Sequence, residues 1–227
     1  MYHERPPYYV GKNNGVVGGI VGERATQALS SAGIPYFFRR IPATRQLKMI
    51  ERNLRKTCAL GWFKNPAREA FAKFSKPIYR DKPMVMLVRR NEPKTADKTS
   101  LLQLAESPDL RMGVKLGYSY GAIIDRMIDR LKPHVVIASQ DNAGMMRMLL
   151  GKRFDYVFVA AEEAPGILER VGKAIISVTL SDAPPGNRRY IICTKRVGDD
   201  LMGRLNRAIK EDFEKPGPHN TLGITNM

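Results

Sequence analysis

The chain has 227 residues, 43% of them hydrophobic and 26% charged. That is the composition of a globular protein with enough length for one large domain or two small ones. With 38 Lys and Arg against 22 Asp and Glu, the formal charge is +16. Anionic partners therefore come into view, but the basic residues are interspersed with acids and form no long run, so nucleic acid is not the expected partner. Two cysteines exclude a disulfide scaffold, and no apolar run reaches the length of a bilayer.

In chain order, Arg5-Pro6-Pro7-Tyr8-Tyr9-Val10 reads as stiff, extended and aromatic. The glycine-rich stretch 11–22 departs from the phosphate-loop pattern G-x-x-x-x-G-K-[ST] and reads as a loop entering a helix at 18–32. That helix places Val21, Ala25, Ala28 and Leu29 on one side, and Gly33 ends it. A short aromatic strand is predicted at 34–41. A helix follows at 44–54, with Leu47, Ile50 and Leu54 on its apolar face. CALGW at 58–62 has strand length, Asn65-Pro66 marks a turn, and Phe71, Phe74 and Ile78 pack the region after it.

The stretch 82–90 reads as a strand buried in its middle, and the polar segment 91–98 as a crossing between two lobes. Beyond it, helices are predicted at 101–105, 122–131, 142–150 and 162–170. Strands are predicted at 111–116, 134–138, 156–160 and 175–180. A strand at 190–194 and a helix at 199–215, carrying Leu201, Leu205, Ile209 and Phe213, close the chain before a frayed tail. This alternation is an α/β pattern. The expected division is 1–90 for the first part of lobe one, 91–182 for lobe two, and 183–227 for the return to lobe one. Cys58 and Cys193 both sit in apolar segments, where buried free thiols are the default and a disulfide between adjacent strands is the alternative. His3, His134 and His219 are too far apart in sequence to read as a metal set, and no cofactor is expected.

The order and spacing of several pieces carry a resemblance over nearly the whole chain. They are Pro6-Pro7-Tyr8-Tyr9, the helix entry at 15–22, AREAFAKFSKPIY, VMLVRR, MGVKLGYSYG, GKRFDYVF and the late CTK and LMGRLNRAI segments. In this the chain resembles the bacterial extracellular solute-binding proteins of polar-amino-acid ABC importers, family 3 of that group. The resemblance implies the type II periplasmic-binding-protein fold, two α/β lobes joined by two crossings with a ligand cleft between them. It also implies binding without catalysis, a small solute as ligand, an inner-membrane ABC permease as partner, a monomer, and a periplasmic location reached by a leader outside these residues. The ligand-sensing domain of a membrane receptor is the nearer alternative, and a dehydratase-like enzyme on the same fold the more distant one.

The family places an arginine just before its FS-x-P-x-Y pattern, where it pairs with a ligand carboxylate, and Arg68 stands there. A guanidinium fork suits a planar carboxylate. Asn65 occupies the position of a family hydroxyl residue. Tyr118 and Ser119 follow Gly117 at the family's second-lobe helix entry, where N–H groups hold the same carboxylate. Tyr8 or Tyr9 matches the aromatic laid against the ligand side chain. Trp62 and Phe63 divide evenly between a core role and the cleft wall. The family's ammonium-binding aspartate falls near Val159 and Ala160, both apolar. Either Glu162 takes that role, or the ligand lacks an α-ammonium. An anionic group on the ligand is thus expected, an amino acid only as one possibility.

Overall fold

A computed structural model describes residues 1–209, and these divide into two compact units. One comprises Met1–Arg80 and the chain from Arg188 onward; the other is the intervening Asp81–Asn187. The expected helix beyond residue 209, with Phe213, and the tail with His219 lie outside the described residues.

The first unit opens with a two-stranded ribbon, β1 (Val10–Gly11) and β2 (Val17–Gly18), that feeds α1 (Ile20–Ser31). Val21, Ala25 and Ala28 are buried at the spacing read from the sequence. The aromatic stretch 34–41 is not a strand. Only Arg40 makes a bridge, to Tyr2, while Phe37 is 79% exposed, so no strand partner covers this segment. Helix α2 (Ala43–Arg52) ends at Asn53 in the left-handed conformation, and Leu54, one residue later, falls off its face into solvent.

Strand β3 (Cys58–Phe63), the single turn of α3 (Pro66–Glu69) and β4 (Ala72–Arg80) follow. The unit is completed by the returning β10 (Arg188–Thr194) and α8 (Asp199–Ala208). β10 lies between β3 and β4 and is antiparallel to both. Ile50, Ala59, Ala72 and Ile192 form a core on one side of this sheet, with Leu47, Trp62 and Phe74 packed against them. Cys58 and Cys193 are register partners on β3 and β10 and form a disulfide, which settles the alternative left open by the sequence.

The second unit runs β5 (Val85–Arg89), α4 (Leu101–Ala105), β6 (Met112–Lys115), α5 (Ala122–Arg130) and β7 (Val135–Ala138). It continues with α6 (Asn142–Leu150), β8 (Tyr156–Val159), α7 (Ala164–Val171) and β9 (Ile175–Thr179). Its five-stranded sheet has the order β7-β6-β8-β5-β9, with β6 parallel to β7 and β8, and β5 antiparallel to its neighbours.

Side-chain alternation along β5 sends Met86 and Val88 to one face and Val85 and Leu87 to the other. Leu101 and Leu104 of α4 and Ile124 and Met127 of α5 cover the first face. Met145, Met146 and Leu149 of α6 and Ile167 of α7 cover the second. This unit is a three-layer α/β/α sandwich, and burial on both faces explains why β5 is apolar throughout. Because β5 is an interior strand of this sheet, residues 81–90 group with the second unit. The sequence had assigned them to the first lobe from the composition change at Asn91.

Candidate solute site

In the first unit the candidate residues gather around the end of β3. Gly61 has φ +69°, and a side chain there would collide with the Tyr9 hydroxyl, so glycine alone fits. After β3, Asn65 caps the short helix: its Oδ1 accepts from the Arg68 backbone N–H at 2.9 Å, and Pro66 starts the turn. The cap places Arg68 back over the strand it followed. Its Nη1 donates to the Phe63 carbonyl at 2.7 Å, and its guanidinium carbon lies 5.0 Å from the Trp62 ring centroid. Trp62 is fixed in turn by Nε1 donating to Oε1 of the buried Gln46 at 3.1 Å, and Gln46 donates to the Ile41 carbonyl at 2.7 Å. Asn65, Trp62 and Arg68 are therefore one connected group on a rigid strand end.

Tyr8 and Tyr9 are fully buried in the same unit. Over the Tyr8 ring, at 4.0 Å, lies a guanidinium that sequence reading had missed, that of Arg189. It is also 4.8 Å from the Phe63 ring centroid and donates to the Gly61 carbonyl at 3.1 Å, with the residue only 3% exposed. The sequence shows Arg188-Arg189 only as one of several basic pairs. The usable signal was strand alternation, which turns one member of such a pair inward.

In the second unit the candidates lie between β6 and α5. Gly117 and Gly121 both have positive φ, +76° and +93°, and bracket the tight link Tyr118-Ser119-Tyr120. Asp125 organises this link. Its carboxylate accepts from Ser119 Oγ at 2.6 Å and from the Tyr120 N–H at 2.7 Å. Ser119 Oγ also accepts from the Gly121 N–H at 3.3 Å. The Tyr120 hydroxyl accepts from the Lys115 N–H at 2.9 Å, tying the link to the end of β6.

Lys115 is the second residue the sequence did not single out. Its ammonium donates to Asn142 Oδ1 at the start of α6 and lies 5.2 Å from the Tyr118 ring centroid. Asn142 donates onward to Glu163 Oε1 at 3.3 Å. Glu162 Oε1 accepts from the Lys82 N–H at 2.7 Å. Val159 and Ala160, where the resembling family carries an aspartate, are buried and apolar.

Chemically, the first unit offers a fixed guanidinium on an aromatic shelf. The second offers a helix entry beside an ammonium. Both favour anions. Among the described residues, no group of three His, Cys, Asp or Glu side chains is arranged to hold a metal ion, and no helix is long and apolar enough to cross a membrane.

No family model and no curated protein sequence matches the chain. Solved structures do. An ancestral arginine-binding protein bound to arginine is 15% identical with a TM-score of 0.71, covering 94% of this chain and 90% of that one. A histidine kinase sensor domain with similarity to periplasmic binding proteins is 18% identical with a TM-score of 0.70, covering 92% and 86%. The substrate-binding protein of an amino acid ABC transporter is 16% identical with a TM-score of 0.67, covering 92% and 89%. At such identities the likeness is one of fold, and the chain has the two-unit α/β fold of the periplasmic binding proteins.

Proposed function

We propose that this chain captures a small carboxylate-bearing solute, an amino acid or a related organic acid, in the periplasm and delivers it to a membrane ABC importer. The observation that carries this reading is the Arg68 group within a fold shared with proteins that do the same work. A guanidinium already oriented by a helix cap, a carbonyl and an indole loses little freedom on binding a planar carboxylate in parallel hydrogen bonds. In the second unit, Tyr118 and Ser119 shape the helix entry that supplies further N–H donors, and Lys115 adds positive charge. Tyr9 stands against Gly61 of β3, and Tyr8 lies under the Arg189 guanidinium, so both serve as aromatic support. Glu162 receives an ammonium where the solute carries one. The apolar Val159 and Ala160 favour solutes without one.

A second reading is supported by the likeness to a histidine kinase sensor domain. The same binding chemistry would then report solute to a signalling partner. The two differ in what the loaded protein binds, and share the solute site.

Native mass spectrometry of the purified protein, followed by a thermal-shift screen of amino acids, organic acids and inorganic anions, tests the reading. A true ligand raises the unfolding temperature through preferential binding to the folded state. Arg68→Ala is expected to weaken the identified carboxylate about a hundredfold, the loss of a charge-assisted bidentate contact of roughly 2–3 kcal/mol. A variant that keeps wild-type affinity removes Arg68 from the site. Turnover of a bound acid would make the protein an enzyme.

A further inference from the structure

We propose that the outer edge of β7, with the groove beside it, is a docking site for an acidic extended segment of a partner protein, which joins the second unit as a sixth strand. The edge adjoins the second unit's candidate residues, since Ala138 pairs with Lys115 and Asn142 lies between Gln140 and Gly144, but the inference does not depend on which solute is bound.

β7 ends the five-stranded sheet and pairs with β6 alone. The Leu116 N–H donates to the Ala138 carbonyl, so the backbone groups of Ala138 face β6. Along a strand these directions alternate, and the N–H and C=O of Ile137 therefore face outward. Exposed edges ordinarily carry a lysine, a proline or a bulge that discourages pairing. β7 reads Val135-Val136-Ile137-Ala138, without charge or proline, and Ile137 is 63% exposed.

Beside this edge lies an open groove of about 760 Å³. Residues 137–140 line one side, Gly144, Arg147 and Met148 of α6 line the other, and Arg153 lies beyond the helix end. No acidic residue lines it. Among the described residues, no ion pair engages the side chain of Arg147 or Arg153. Two solvated arginines would ordinarily be unremarkable. Here they border a strand edge whose four residues carry no charge and no proline, although Lys132 and Pro133 precede it, and the two features together point to the occupant.

An added strand contributes main-chain hydrogen bonds to Ile137, and its alternate side chains enter the groove. Carboxylates at those positions meet Arg147 and Arg153. A second copy of this chain fits poorly, because pairing like edges would bring these arginines together in a molecule already at +16. A bilayer surface is too flat to reach a concave edge.

The probe is a peptide of about ten residues alternating glutamate and valine, titrated by fluorescence anisotropy at low and moderate salt. Controls are a lysine–valine peptide, a glutamate–valine peptide interrupted by prolines, and phosphatidylglycerol vesicles. The glutamate–valine peptide alone should bind, and amide exchange at Ile137 should slow in the complex. The double variant Arg147→Glu with Arg153→Glu should weaken the peptide by about tenfold or more. Its thermal midpoint should stay unchanged, since both residues are exposed. Ile137→Pro should weaken binding independently, since it removes the outward N–H without changing the charge. Equal binding of the proline-interrupted peptide, an unprotected Ile137 amide, or indifference to the charge reversal would overturn the proposal. So would binding to vesicles in place of the peptide, or self-association through this edge in ultracentrifugation.

Discussion

At the scale of single residues, the buried Asp155 of the second unit is the shared acceptor of two arginines. Its Oδ2 accepts from the Arg111 N–H at 2.9 Å and from Arg111 Nε at 3.2 Å, while Oδ1 accepts from Arg89 Nη2 and Arg111 Nη2, each at 3.2 Å. Arg89 is buried and also bonds Glu92 and the carbonyls of Leu149 and Phe154. Burial pushes the Asp155 carboxyl up. The hydrogen bonds from Arg111 and Arg89 outweigh it and hold the group below its ordinary 3.8. A carboxyl lowered in the folded state contributes stability that is complete above the unfolded value and lost as pH falls through the folded one. Urea midpoints should therefore drop as pH falls below about 4. Asp155→Asn should cost about 3 kcal/mol at neutral pH, because two arginines lose their shared anion, and should flatten that acid-side slope. An unchanged slope in the variant would assign the acid sensitivity elsewhere, with Glu92 the next carboxylate to test. None of this was legible in the sequence. Asp155 stands there only as the acid within GKRFDYVF, and its partners lie 66 and 44 residues away. Arg68 was singled out by its place before the FS-x-P-x-Y pattern of the resembling family, and the Asn65-Pro66 turn that orients it is local. Arg189 was not, because its aromatic partners come from distant stretches of the chain.

At the scale of elements, local periodicity carried the reading well where one element supplies its own signal. α4 and α6 occupy the predicted spans 101–105 and 142–150, and α5 ends one residue early. Reading failed where a partner decides the outcome. The aromatic run 34–41 has strand composition and no strand beside it, so its rings stack locally, Tyr36 on Phe38 at 5.1 Å between centroids. The pairing of Cys58 with Cys193 also depends on a partner, since it requires the register of β10 against β3 across 135 residues. That crosslink closes a long loop holding the whole second unit, and in chain-entropy terms long loops gain most. Replacing both cysteines with serine should lower unfolding free energy by about 2–5 kcal/mol in urea titrations. The midpoint of the double variant should match that of reduced wild type. A double variant as stable as the oxidised protein would mean that the ladder, and not the crosslink, holds β10 in place.

At the scale of the whole molecule, the two units differ in how the chain builds them, and this leads to opposite expectations for their fragments. Two α/β lobes were readable from the alternation of strands and helices. The exact crossings were not, because the composition break at Asn91 lies after β5 and the structural division falls before it. The second unit is continuous, and its ends are tied by the Asp81 N–H donating to the Asn187 carbonyl at 2.9 Å. It owns two hydrophobic faces on one sheet and borrows no strand. A fragment spanning residues 81–187 should therefore fold alone, with dispersed amide resonances and a single cooperative urea transition. The first unit is discontinuous, and its middle strand is β10. Without it, β3 and β4 have no common partner, and Ala59 and Ala72 lose Ile192 from their core. A fragment of residues 1–80 should be largely unfolded by the same measures. Adding a peptide of residues 188–209 should restore structure, faster and more completely when Cys58 and Cys193 are free to pair. A folded 1–80 fragment would show that β3 and β4 pair without β10, and an unfolded 81–187 fragment would show that the second sheet depends on contacts outside its own sequence.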